Sequence, residues 1–378
     1  MKIAYVTTYD AADVHNWSGL GYHLANALQE EKAEMEFIGN LNIRHDKITR
    51  LKRLFYSKAL GQRYQYQREP WVAEGYADQI ESRLSSTANC IVSPGSIPIA
   101  KIRSKIPTVF YTDATFAGMV GFYDDFSNLC AETIRNGHRL EQEALSSCAL
   151  AIYSSDWAAK TAIENYSVDP RKIRVIPFGA NVDDTRTRDD IKRMIQSRPR
   201  ETCRLLFLGV DWQRKGGPLA LEIAERLNKA GLRTELHIAG LRTPPMDPLP
   251  EFVIDHGFIS KSSPEGRAKL DQLIAGSHFM VLMSKAEAYG LVLCEANSFG
   301  VPDIASNVGG IPTIVRDEIN GKVFPLQTSA ADIALYIANV FSDYDRYEDL
   351  ALTSFDEYQQ RLNWKISGRR LMNTLKEL

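Results

Sequence analysis

The chain has 378 residues, of which 44% are hydrophobic and 24% charged, and its formal net charge is -2. That length exceeds what one hydrophobic core supports, so two domains are expected, and the composition excludes a disordered or collagen-like chain. A charge so near zero gives no global pull toward nucleic acid, and no run reaches the roughly 18 apolar residues that span a bilayer.

Residues 2–7 read as a first strand. The opening Met1-Lys-Ile-Ala-Tyr-Val-Thr-Thr8 is too short for a secretory signal, and Asp10 and Asp13 follow at once. A helical pattern over 21–29 and a strand-like run over 34–38 give the strand, helix, strand rhythm of a parallel sheet. Between strand and helix, Asn16-Trp-Ser-Gly-Leu-Gly-Tyr-His23 carries Gly19 and Gly21. A dinucleotide fingerprint places its glycines directly after the strand and has a third, so this loop argues against a nicotinamide-dependent oxidoreductase.

The segment from Arg44 to Arg68 holds eight basic residues against the single acid Asp46, with Ile48, Leu51 and Phe55 at helical spacing. A basic amphipathic helix of this kind suits an anionic membrane surface or an acidic acceptor; the plainer reading is a solvated helix face. Strand-like runs follow over 89–93 and 108–112. The second leads into Tyr111-Thr-Asp-Ala-Thr-Phe116, which puts Asp113 just beyond a strand end. A helix pattern over 135–145, a strand over 148–153, N-cap chemistry at Ser154-Ser-Asp156 and a strand over 172–176 complete a first domain, taken as residues 1–185. The Arg- and Asp-rich stretch that runs on to 201 reads as the interdomain connection.

A second strand-first unit, residues 202–361, repeats the alternation with strands over 204–208, 235–238, 252–254, 279–283 and 302–305. Residues 362–378 form a terminal helix pattern. The first of these strands runs into Gly209-Val-Asp-Trp-Gln-Arg-Lys-Gly-Gly217, a glycine-containing turn where the backbone can approach an anion and Arg214 and Lys215 add charge. The fourth is followed by Glu287-Ala-Tyr-Gly-Leu-Val-Leu-Cys-Glu295, which opens a helix pattern ending at Ser298-Phe-Gly300. Free amides at a helix start favour a phosphate, and the two carboxylates beside it can accept hydrogen bonds from hydroxyls on either side. A phosphate flanked by hydroxyls describes a nucleotide sugar. Two doubly wound, Rossmann-like α/β halves are thus expected to face each other across a cleft, with ligands outside the carboxyl ends of the strands.

Other chemistries find no support. The five cysteines are scattered and lack CxxC pairing, which fits buried thiols in a reducing, cytoplasmic setting. The seven histidines form no HExxH or paired-ligand pattern, and neither a GxSxG elbow nor a Walker loop is present. Asp124-Asp125 lacks the spacing of a metal-binding DxD.

Glu287 and Glu295, with Tyr289-Gly290 between them and Ser306-Asn-Val-Gly-Gly-Ile-Pro312 shortly after, resemble the signature of retaining glycosyltransferases of the GT-B fold, family 4. The resemblance is strongest over 205–326. It implies a hexosyltransferase that takes a UDP- or GDP-linked sugar to a saccharide or lipid-linked acceptor in polysaccharide or glycolipid synthesis, with no further cofactor and no bound metal. It would place the enzyme in the cytoplasm or on the inner face of the membrane, with the terminal helix crossing back to the first domain.

By the same resemblance Lys215 and Arg214 hold the diphosphate. The family's arginine usually stands earlier, where this chain has Gly209 and Val210. Gly19 and the amides near Tyr289, Gly290 and Leu291 assist the leaving group, Glu287 binds the donor sugar and Glu295 the ribose. Asp113 stands where many members have a histidine, and is assigned to the sugar or to orienting or deprotonating the acceptor hydroxyl. The missing early arginine and that histidine keep a second possibility open, a non-catalytic GT-B homologue that binds saccharide or partners another transferase.

Overall fold

The computed structural model describes residues 1–43, 47–182 and 185–378, which fold as two units: Met1–Phe178 with Trp364–Leu378, and Gly179–Asn363. Six strands form the first sheet: β1 (Lys2–Val6), β2 (Glu34–Ile38), β3 (Cys90–Ser93), β4 (Thr108–Thr112), β5 (Leu150–Tyr153) and β6 (Ile173–Val175). Their order is β2-β1-β3-β4-β5-β6 and every pairing is parallel. β3, β4 and β5 are buried along their whole length, as continuous apolar strands covered on both faces should be. β2 lies at an edge, where Glu34 is exposed and Glu36 pairs with Lys2 at 3.3 Å.

The terminal helix Trp364–Lys376 packs on the helix Leu20–Glu30. A Cβ on Gly368 would come within 2.9 Å of the Ala27 carbonyl oxygen, so only glycine allows that approach. The Ser367 hydroxyl donates to the Pro177 carbonyl at 2.7 Å, and the Trp364 ring lies 5.7 Å from that of Phe178.

In the second unit β7 (Cys203–Leu208), β8 (Thr234–Ala239), β9 (Val253–Asp255), β10 (Phe279–Leu282), β11 (Asp303–Ser306) and β12 (Gly321–Phe324) form a second all-parallel sheet in the order β12-β11-β10-β7-β8-β9. Read from β9, this is the order 3-2-1-4-5-6 of dinucleotide-binding Rossmann sheets. β12 is short and only half-buried, and it carries no apolar run that the sequence reading could detect.

The charged stretch read as a connection is more structured than expected. It contains the helix Arg188–Ser197, started by a reciprocal Thr187–Asp190 capping box, with Ile191 and Ile195 fully buried. Only two apolar residues face inward, so the hydrophobic signal is weak. Arg198 then enters the core at 3% exposure and donates to the carbonyls of Phe299 and Gly300, both at 2.8 Å. All five cysteines are buried with free thiols.

Candidate functional site

In the second sheet β7 and β10 are neighbours, and the chain leaves them in opposite directions, toward β8 and toward β11. Connections that part in this way open a crevice at the carboxyl ends of the strands, which is where α/β sheets bind ligands. The loop after β7 supplies Arg214 and Lys215, and the loop after β10 supplies Glu287.

These three side chains meet. Glu287 Oε2 lies 3.4 Å from Lys215 Nζ, 3.5 Å from Arg214 Nη1 and 3.4 Å from Ser284 Oγ. Lys215 and Glu287 are each only 13% exposed. Charge-assisted hydrogen bonds run at about 2.7–2.9 Å, so these longer contacts leave the groups converging without saturating one another.

Backbone contacts explain how the two loops come together. Arg214 donates to the Ala286 carbonyl at 2.8 Å, and its own carbonyl accepts from Lys285 N–H at 2.8 Å. Its guanidinium also pairs with Asp211 at 3.3 Å. Gly216, at φ +77°, has no room for a side chain, because a Cβ there would come within 1.9 Å of the Met283 carbonyl oxygen. The downstream segment expected to belong to the site does so through Gly310, whose N–H donates to the Glu287 carbonyl at 3.1 Å.

The remaining candidates on this unit lie around the helix Leu291–Asn297, capped by Gly290. It has seven residues, shorter than the sequence pattern suggested, so its dipole is that of about two turns. Tyr289 is buried at 3% exposure, which leaves its backbone as the part that can reach a ligand, and Leu291 is half-buried at the helix start. Glu295 is fully buried and paired through both oxygens with Lys261 Nζ, at 2.6 and 2.7 Å. Lys261 was missed in the sequence, because the segment after β9 carries no motif to mark it. Among the described residues no cluster of His, Cys, Asp and Glu is placed to hold a metal ion.

Gly19 and Asp113 lie in the first unit. Gly19, at φ +81°, is the N-cap of the helix Leu20–Glu30. Asp113 directly follows β4 and is half-buried.

The basic run of the first unit is arranged unlike an ordinary amphipathic helix. Arg44, where it begins, lies outside the described residues. The helix Lys47–Leu54, continued by a wide turn over Phe55–Ala59, exposes Ile48, Leu51 and Phe55 at 63%, 65% and 57%. Thr49, Lys52 and Tyr56 face the protein, while Lys47, Arg50 and Arg53 stay exposed. Thr49 is buried, Lys52 pairs with Glu69 at 3.1 Å and Glu132 at 2.7 Å, and the Tyr56 hydroxyl donates to Glu132 at 3.2 Å. Lys52 therefore belongs to the fold and not to the outward basic face.

The sequence and the fold both have known relatives. Residues 189–354 match the family model for glycosyl transferases group 1. D-inositol 3-phosphate glycosyltransferase of Mycobacterium marinum is 27% identical over 192 residues, 48% of this chain and 40% of that protein. The enzyme of the same name from Acidothermus cellulolyticus is 26% identical over 199 residues, 49% and 44% of the two chains. The matched segment thus spans less than half the length of these curated relatives.

The fold is shared more widely. Anabaena HepE in complex with UDP and glucose superposes with a TM-score of 0.64 at 16% identity, covering 100% of both chains. Sucrose-phosphate synthase from Thermosynechococcus elongatus gives 0.67 at 17% identity, over 100% of this chain and 98% of that one. Residues 189–354 are thus similar to group 1 glycosyl transferases, and the chain has the GT-B fold of two Rossmann-like units.

Proposed function

We propose that the chain is a retaining glycosyltransferase of family 4, moving a hexose from a nucleotide diphosphosugar to a saccharide or lipid-linked hydroxyl in the synthesis of a cell-surface polysaccharide or glycolipid. The observation that carries this reading is the convergence of Lys215, Arg214 and Glu287 at the switch point of a Rossmann-order sheet. When the bond between the anomeric carbon and the diphosphate breaks, negative charge grows on the leaving oxygen. Two cations fixed beside it by the β7 loop stabilise that charge without reorganising at the moment of reaction.

The leaving oxygen then takes the acceptor's proton as the hydroxyl attacks from the same face, so configuration is retained and no protein nucleophile is needed. Glu287 accepts hydrogen bonds from sugar hydroxyls, and Glu295 from the ribose once Lys261, which now holds both its oxygens, gives way. The amides of Gly290 and Leu291 assist at the diphosphate. On the first unit, Asp113 orients the acceptor hydroxyl. The name of the mycobacterial relatives supports sugar transfer, and the UDP and glucose held by HepE support a uridine diphosphate donor over a guanosine one.

The test is a panel of UDP- and GDP-sugars, with slow donor hydrolysis followed for each. Turnover with one of them names the donor. Absence of both turnover and nucleotide binding across the panel would refute the enzyme reading. Glu287→Ala should lower transfer by about 10²-fold or more with little change in Tm, because a crevice carboxylate is not a core group.

A further part of the proposal is peripheral association with the inner face of an anionic membrane. It is supported by the outward row of Ile48, Leu51 and Phe55, flanked by Lys47, Arg50, Arg53 and Lys58. Among the described residues no helix is long and apolar enough to cross a bilayer.

A further inference from the structure

The first unit holds a cavity of about 730 Å³ whose walls come from three successive connections of the sheet: after β2, after β3 and after β4. All three leave the carboxyl ends of their strands, the side on which α/β sheets take ligands, and the volume suits a small organic molecule. Its lining includes Arg53, Arg63, Arg68, Tyr64, Tyr66 and Phe126.

Arg68 is the unusual member. It is 8% exposed, yet its guanidinium makes no hydrogen bond or ion pair among the described residues. It stacks instead on Phe116 and Phe126, at 4.4 and 5.9 Å from the ring centroids. Burial pushes its pKa down, opposed by the nearby charge of Glu141, a fully buried carboxylate that accepts from Ser96 Oγ at 2.6 Å.

The neighbouring charges do not quench it. Glu69 is engaged by Lys52 and by the Tyr64 hydroxyl at 2.6 Å, and Asp125 pairs with Arg63 at 2.7 Å. Arg53 makes no hydrogen bond or ion pair among the described residues. The cavity thus holds three guanidinium groups against one lining carboxylate, beside aromatic rings. Planar guanidinium forks match phosphate and carboxylate oxygens two at a time, and flat rings suit the apolar face of a sugar.

We infer that this cavity is a subsite for an anionic saccharide, one carrying a phosphate or carboxylate, with Arg68 and Arg53 gripping the anion and the aromatic rings flanking the sugar. That the occupant is the acceptor rests on the transferase reading; that the cavity binds an anionic sugar does not. The phosphate could belong to a free sugar phosphate or to a lipid diphosphate.

The test measures calorimetric binding of glucose 6-phosphate, glucuronate and glucose to the full chain, and of a polyprenyl diphosphate in detergent micelles. Binding of UDP is measured in parallel as an independent reading of the second unit. The expected result is at least tenfold tighter binding of one anionic ligand than of glucose. Arg53→Ala, at the cavity rim, and Arg68→Lys should each lose that preference by tenfold or more while UDP binding is unchanged. Preference for the polyprenyl ligand assigns a lipid-linked source, and preference for a free sugar acid a soluble one.

Equal binding of charged and neutral ligands, or an anion preference untouched in Arg53→Ala, would overturn the proposal. If Arg68→Lys unfolds, Arg53→Ala and Arg63→Ala decide it. Anion binding without any donor turnover would sink the transferase reading and leave the subsite standing. Donor turnover with no anion preference would do the reverse.

Discussion

The aliphatic stem of Lys215 lies where residue 209 would carry a side chain: a Cβ on Gly209 would fall 2.4 Å from Lys215 Cδ. Gly209 and Val210 stand where the resemblance places an arginine, and the lysine from the following turn runs over Gly209 to reach Glu287. Gly209→Ala should be tolerated by the fold, since the clash is with the outer part of a flexible chain and the backbone there is not left-handed. We expect a stability change within about 1 kcal/mol. The displaced lysine should cost about tenfold or more in donor binding, measured by titration with the nucleotide sugar. Unchanged affinity would mean that the path of Lys215 over Gly209 has no bearing on the site.

Glu295 and Lys261 make a separate prediction. The carboxylate is fully buried and the lysine is its ion-pair partner, so Lys261→Met leaves a buried charge uncompensated. Breaking a fully buried pair costs about 3–5 kcal/mol. Lys261 is 44% exposed, so water can take over part of its role, and a smaller loss of about 1–3 kcal/mol is expected from denaturant unfolding. Pairing Lys261→Met with Glu295→Gln should restore most of that loss. If it does, nucleotide affinity of the double variant then tells whether Glu295 also serves the ribose. A double variant as unstable as Lys261→Met alone would show that the two side chains are not coupled.

Much of this arrangement was legible because parallel strands buried on both faces announce themselves as apolar runs. The segment after β10 was also readable, since glutamates bracketing Tyr289-Gly290 between a strand and a helix carry both a local geometry and a chemistry. What escaped were features whose signal is not local. β12 is four residues with a half-buried pattern and begins at a glycine. Lys261 meets Glu295 across 34 positions of sequence with no motif to mark it. Arg198 and the helix Arg188–Ser197 looked like a solvated connection, because a buried guanidinium satisfied by carbonyls is indistinguishable in sequence from an exposed one. The inverted face of the helix Lys47–Leu54 likewise depends on Glu69 and Glu132, distant partners that turn Lys52 inward.

His278 predicts a pH dependence of stability. It is fully buried in the second unit, and its Nδ1 accepts from the Arg204 N–H at 2.9 Å, which requires a neutral ring. Burial, reinforced by the charges of Arg198 and Arg204, lowers its pKa to about 3. The unfolded chain binds this proton more readily, at about pH 6.5. The stabilisation is therefore complete above about 6.5 and is lost as pH falls from there toward 3, by up to about 1.4 kcal/mol per pH unit. Denaturant midpoints for His278→Asn, which keeps an acceptor but cannot titrate, should decline less steeply over that window. Identical slopes in the two proteins would remove His278 as a contributor.

The exposed row of Ile48, Leu51 and Phe55 gives a prediction whose outcome separates a membrane face from a merely solvated one. Because the helix is fixed to its unit by Thr49, Lys52 and Tyr56, the outward residues can be changed without disturbing its anchorage. Leu51→Glu with Phe55→Glu should leave Tm within a few degrees of the parent. Co-sedimentation with phosphatidylglycerol vesicles should fall by about tenfold or more, since both apolar insertion and charge attraction are lost. Arg50→Glu should weaken binding less, and its effect should shrink as salt rises, because it acts through screened attraction alone. Lys52→Glu is the wrong probe: it would lower stability by opposing Glu69 and Glu132, and a loss of binding in that variant would report unfolding. Vesicle binding that is absent in the parent, or that survives the Leu51 and Phe55 exchange, would reduce the helix to a solvated face.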